Sequence, residues 1–184
     1  MEAFAHLLSF MGLLLGFTLT EIAKGFSGAL KRRHLIRIGW LTPLLAILFM
    51  LDIADIWTAA WYARSLVDMS TAGAFALLAW ALTYYLSASM IFPDLWDDVV
   101  SLDDWFFANK HWVVCGLIAT SIASNAVILS LERPEIDAGL IEWAAIMAGW
   151  FVLLAALAWV RSARWSYVLL ALALAFELQE LVAS

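Results

Sequence analysis

Long apolar runs separated by short polar breaks dominate the chain. Six runs have about the 20 residues needed to cross a bilayer core: roughly 3–23, 38–62, 71–92, 111–131, 139–160 and 163–182. They predict an all-α, polytopic membrane helical bundle forming one transmembrane domain over residues 1–184. The first run lacks a basic leader, and its positive charges follow it in KGFSGALKRRHLIR, so it is expected to stay as a membrane helix and not be cleaved as a signal peptide. The longest break, PDLWDDVVSLDDWFFANKH, sets Leu95, Val99, Leu102 and Phe106 at helical spacing, largely opposite Asp94, Asp97, Asp98 and Asp104. It predicts an interfacial acidic helix over roughly 94–108, neutralised by the basic loop Lys31, Arg32, Arg33 and Arg37.

Composition agrees with the pattern. Of 184 residues, 65% are hydrophobic and 14% charged, against roughly 45–50% and 25% in soluble domains. Several of the 11 Trp, including Trp40, Trp61, Trp112, Trp143 and Trp165, fall near the ends of runs where an aromatic belt is expected, whereas Trp57 and Trp80 lie deeper and suit packing. The net charge of -6 does not point to a nucleic-acid partner. Lone Cys115 cannot form an internal disulfide. Lys24, Lys31, Arg32, Arg33, Arg37, Lys110, Arg161 and Arg164 fall in one set of breaks, and only Arg64 and Arg133 in the other. The positive-inside rule then places both termini outside. Six helices of that topology would also allow two inverted three-helix halves, although no residue-level repeat supports them.

The exceptions to apolarity carry the candidate chemistry. An Asp at the centre of a membrane helix costs about 2.5–3.5 kcal/mol on the insertion scale, and run two holds Asp52 and Asp55 in MLDIADIWTAAW. Run six holds Glu177 and Glu180, at the same i,i+3 spacing. Helical rise puts Asp52 and Glu177 each about 21 Å, and Asp55 and Glu180 about 25 Å, above the inner ends of their helices. His6, Asn125 and Glu142 fall in the same outer half, although Glu142 and Glu180, near helix ends, also suit an interfacial role. Ser9, Gly12, Gly16 and Thr20 form a small or polar stripe, with Gly12 and Gly16 at the spacing that lets helices approach closely. Thr120, Ser121, Ser124 and Asn125 form another. The expected arrangement is a water-accessible cavity opening outward, lined by helices one, two, four, five and six. Tyr84, Tyr85, Ser87 and Ser89 make a polar stretch in run three that suits either a pathway or packing, and Glu21 and Lys24 sit one turn apart as an ordinary pair.

Such carboxylates point to cation handling, as a proton or metal-ion channel or transporter, with Asp52, Asp55, Glu177, Glu180, Glu142, His6 and Asn125 as candidate ligands. Asp52, Asp55, Glu177 and His6 are the tentative metal set. Oxygen ligands with one imidazole favour Mg²⁺, Ca²⁺, Mn²⁺ or Zn²⁺ over copper. The alternatives are a membrane-embedded, metal-assisted enzyme acting on a lipid-like substrate, and a non-catalytic accessory or scaffold subunit. His6, His34 and His111 differ in depth, which disfavours a bis-His haem, and there is no P-loop or CxxC pair. Expected partners are the lipid bilayer and a second copy of the chain in a homo-oligomer. AFAHLLSFMGLLLGFTLTEIAKGF before a basic loop, and YYLSASMIFPD before an acidic one, resemble a widespread group of bacterial integral membrane proteins. The resemblance implies an inner-membrane location and no activity.

Overall fold

The computed structural model describes residues 2–62, 71–97, 99–132 and 137–183. Among these the chain forms α1 (Glu2–Lys31), α2 (Leu41–Tyr62), α3 (Thr71–Ser89), α4 (Leu102–Glu132), α5 (Ala138–Trp159) and α6 (Ala163–Ala183), and no named strand. Stretches Ser9–Lys31, Leu41–Thr58, Leu102–Ser130 and Ala138–Trp159 are each long and apolar enough to cross a membrane. The apolar stretch of α3, Phe75–Ser89, is shorter, and α6 carries Arg164, Glu177 and Glu180. The chain is a helical membrane protein. Arg64, Asp98 and Arg133, which entered the expectations above, lie outside the described residues.

Packing runs α1 against α3, α3 against α4, α4 against α5, α5 against α6, α6 against α2 and α2 against α1, which closes a ring, and α2 also contacts α4. The α2/α6 contact is the most extensive, and its cause is visible in the sequence. On α2, Leu41, Leu45, Leu48 and Asp52 recur at helical spacing and are all buried. On α6, Ser166, Leu170, Ala173 and Glu177 repeat the same intervals and are buried too. Each helix thus turns one continuous stripe inward. Lipid tails are as apolar as leucine, so close packing, and not escape from water, holds these stripes together.

Small residues set how closely helices approach. A side chain on Gly25 would collide with the Phe92 ring at 2.2 Å, and one on Gly28 with Trp96 at 2.6 Å. Gly116 likewise makes room for Ser87. The expected pair behaves differently: Gly12 leaves space for Trp57, with a closest approach of 3.2 Å, while Gly16 faces nothing within 4 Å. The close-approach glycines of α1 are therefore Gly25 and Gly28, about two and five residues beyond the end expected for its span.

The acidic connection also differs from expectation. Among the described residues no separate helix covers 94–108: residues 90–97 and 99–101 are irregular, and from Leu102 onward the chain belongs to the single 31-residue helix α4. Tertiary contacts outweigh the helical period here. Arg37 N–H donates to the Val100 carbonyl at 3.0 Å and Leu102 N–H to the Arg37 carbonyl at 3.1 Å, a short parallel bridge that holds the segment extended. Trp96 packs on Gly28, and the Arg32 guanidinium lies 5.4 Å from its ring centre. Leu95, expected on the apolar face, is 81% exposed, whereas Leu102 and Phe106 keep theirs within α4. The basic and acidic segments do meet, but through backbone and ring contacts; no ion pair joins them among the described residues.

These contacts fasten one end of the bundle. Asp103 accepts the Leu41 N–H at 3.3 Å, Thr42 Oγ1 donates to the Leu102 carbonyl at 2.8 Å, and Trp105 Nε1 donates to the Met90 carbonyl at 3.3 Å. Asp103 thereby satisfies one of the open N–H groups at the start of α2. Lys110 Nζ donates to the Val160 carbonyl at the end of α5, a favourable place for a cation. The expected Glu21–Lys24 pair forms on α1 at 3.0 Å.

Candidate functional site

The inward stripe of α2 brings Asp52 into the bundle, where it is only 9% exposed. Its partner comes from α3. Tyr84, fully buried, lies with its hydroxyl 2.6 Å from Asp52 Oδ2 and 3.2 Å from the Phe49 carbonyl. Helices α2 and α3 are not an extensively packed pair, so this phenol is what spans the space between them.

Two rings hold Tyr84. Phe49 tilts against its ring with centroids 5.3 Å apart, and Trp80 stacks on it at 5.7 Å and 20°. The Trp80 indole is fixed in turn, because Nε1 donates to the Thr120 carbonyl at 3.1 Å and to Ser124 Oγ at 3.0 Å. From α6, Glu177 is 6% exposed and acts electrostatically on Tyr84, as Asp52 does. Stacking of Trp150 on Phe176 at 4.8 Å packs α5 against α6 beside that carboxylate. Asp55, one turn from Asp52, is half-buried and interacts with it.

The hydroxyl geometry has a chemical consequence. A phenol has one proton to donate and can also accept. With Asp52 ionised, Tyr84 donates to Oδ2. With Asp52 protonated, the carboxyl donates to the phenol oxygen, and the phenol turns its own proton to the Phe49 carbonyl. Both protonation states therefore find partners with the heavy atoms in place, which spares either state the roughly 1–3 kcal/mol cost of an unsatisfied buried group.

Of the residues singled out from sequence, Asp52 meets Tyr84 directly, Glu177 is buried on α6 and acts on the same Tyr84, and Asp55 is half-buried one turn from Asp52. Asn125 is elsewhere occupied: its side-chain amide donates to the Ser121 carbonyl of its own helix at 2.8 Å. Glu142 is exposed on α5. The side chains of His6 and Glu180 lie outside the described residues. No group of three His, Cys, Asp or Glu able to hold a metal ion occurs among the described residues.

The outward cavity also takes a different form. Asp52 and Glu177 sit inside the packed bundle, and the polar positions expected to line a water space bond to backbone instead. Thr120 Oγ1 donates to the Gly116 carbonyl, and Ser124 Oγ to the Thr120 carbonyl, each at 3.0 Å. This is the ordinary way for hydroxyls to be satisfied inside a helix. An open groove of about 400 Å³ lies between α1 and α2, and no carboxylate lines it.

In the sequence Tyr84 stands out only as part of a polar stretch. The signal was present, since a tyrosine in mid-membrane needs a partner for its hydroxyl. What pattern could not supply was which helix that partner sits on. The chain matches no protein-family model, no curated protein and no solved structure, and so the resemblance to bacterial integral membrane proteins gains no support from these comparisons.

Proposed function

We propose that this protein handles protons within a membrane, with Asp52 as the group that takes up and releases the proton and Tyr84 as its hydrogen-bond partner. The observation that carries this reading is the buried Tyr84–Asp52 contact of 2.6 Å, with the Phe49 carbonyl at 3.2 Å as a second acceptor. A site that satisfies both of its protonation states can change charge without repacking its surroundings. Glu177 and Asp55 are the neighbouring carboxyls to or from which a proton would pass. Ionisable groups this deep in apolar helices mark proton or ion pathways by default.

A proton fits the site better than a metal ion. Asp52 Oδ2 already has the Tyr84 hydroxyl as its partner, and the described residues include no group of three His, Cys, Asp or Glu able to hold a metal ion. In the orientation that accompanies the proposal, the fastened end faces the cytoplasm of a bacterial inner membrane and both termini face outward. Eight of the ten Lys and Arg belong to the breaks on that side.

The test is proton flux into liposomes carrying the purified chain, driven by a potassium potential and read with a trapped pH-sensitive dye. Asp52→Asn keeps the size of the side chain but cannot take up a proton. Flux is expected to fall at least about tenfold, the effect of roughly 1.4 kcal/mol or more on the barrier, with thermal stability retained. Wild-type flux no faster than that of empty liposomes, or undiminished flux in the variant, would refute the proposal.

A further inference from the structure

The groove between α1 and α2 is lined by Leu19, Ala23, Phe26, Leu30 and Met50, with Ser27 and Lys31 as its polar members. None of Asp52, Asp55, Glu177 and Tyr84 lines it, and neither the fold nor the proposed proton chemistry uses it. We propose that it is a binding site for one anionic phospholipid, with an acyl chain along the groove and the head group at Lys31.

Four features support this occupant. Size is the first: about 400 Å³ lies within the roughly 300–1,000 Å³ of ordinary ligand sites. Length is the second. From Leu19 to Lys31 the helix rises about 18 Å, all of it within the stretch Ser9–Lys31 that is long and apolar enough to cross a membrane. The third is polarity, because the apolar residues occupy its length while Lys31 stands in the last turn of α1, where the basic loop begins. The fourth is charge. Arg32 is engaged by the Trp96 ring and Arg33 by His34 at 3.2 Å, which leaves Lys31 as the cation on the groove's own lining. Basic pockets between membrane helices on the cytoplasmic side recognise anionic head groups.

Native mass spectrometry of the whole chain tests the proposal, after release from nanodiscs containing equal amounts of phosphatidylglycerol and phosphatidylcholine with identical acyl chains. Wild type should retain one phosphatidylglycerol in preference to phosphatidylcholine. Lys31→Gln should lower that preference about fivefold, the factor that one basic side chain contributes beside an anionic surface. Ala23→Phe, which fills the groove and leaves every charge in place, should abolish retention of both lipids. No preference in wild type, or an unchanged preference in either variant, would overturn the proposal. So would a dimer mass that Ala23→Phe converts to monomer, since a second copy would then be the occupant.

Discussion

Two polar regions interrupt this apolar bundle, and they are built on opposite plans. At the fastened end, residues 31–41 and 90–105 meet through backbone carbonyls and N–H groups, with Asp103, Thr42 and Trp105 completing the contacts. In the centre, Asp52, Tyr84 and Glu177 come from three helices, and the Asp52–Tyr84 contact is made between side chains. Backbone partners at the end have no protonation state to change. The central pair has two, and both are satisfied. Polar groups at the end therefore serve to position helices, whereas those in the centre carry chemistry that the positioning makes possible.

The sharpest way to break the fastened end is to deny it close approach. Gly25→Leu should destabilise the bundle by about 3 kcal/mol, the upper part of the range for overpacking. Its new Cβ would lie 2.2 Å from the Phe92 ring and 2.6 Å from Phe92 Cβ, too near the root of that side chain for a rotamer change to relieve. Gly16→Ala, with nothing within 4 Å, should be neutral or stabilising by up to about 1 kcal/mol through helix propensity alone. Thermal unfolding in detergent compares the two. Equal losses would place the helix contact at Gly12 and Gly16 after all.

The central site should respond next in size, and by a different rule. Tyr84→Phe removes the donor and leaves the Asp52 carboxyl buried without it, at a cost of about 1–3 kcal/mol. Adding Asp52→Leu to that variant removes the stranded group, so the double variant should recover much of the lost stability while still failing to move protons. A double variant less stable than Tyr84→Phe alone would mean that Asp52 is held mainly by other partners. Stability and flux are expected to separate at this site, as they would not at the fastened end.

How much of this was legible beforehand follows from the range of the forces involved. The apolar runs announced six helices, because backbone groups in lipid must be satisfied within the segment. That Asp52 turns away from lipid was legible as well, but it was expected to face a water-accessible cavity and instead stands buried in register with Leu41, Leu45 and Leu48. Its pairing with Tyr84 was not legible, since a single side-chain contact between α2 and α3 leaves no periodic trace. Nor was the irregular backbone at 90–97 and 99–101: the apolar and acidic residues of this connection recur with a helical period, but the bridge to Arg37 and the seat of Trp96 on Gly28 lie more than 60 residues away in sequence. Local pattern reports which face is buried, and only tertiary structure reports against what.

Two carboxylates at the same end of the molecule give the finest test of the contrast. Asp103 bonds to the Leu41 N–H at the start of α2, and its carboxyl fills the space over Gly39. Glu21 meets Lys24 in an i,i+3 pair whose lysine side chain is 68% exposed. Asp103→Ala should cost about 1 kcal/mol, as the loss of a helix cap does, because an N–H group at the start of α2 loses its partner. Lys24→Gln should leave the melting temperature unchanged, since an exposed pair is offset by side-chain entropy and screened by salt. Melting curves in low and high salt decide the matter: a salt-dependent loss for Lys24→Gln, or none for Asp103→Ala, would mean that charge, and not backbone satisfaction, holds this end together.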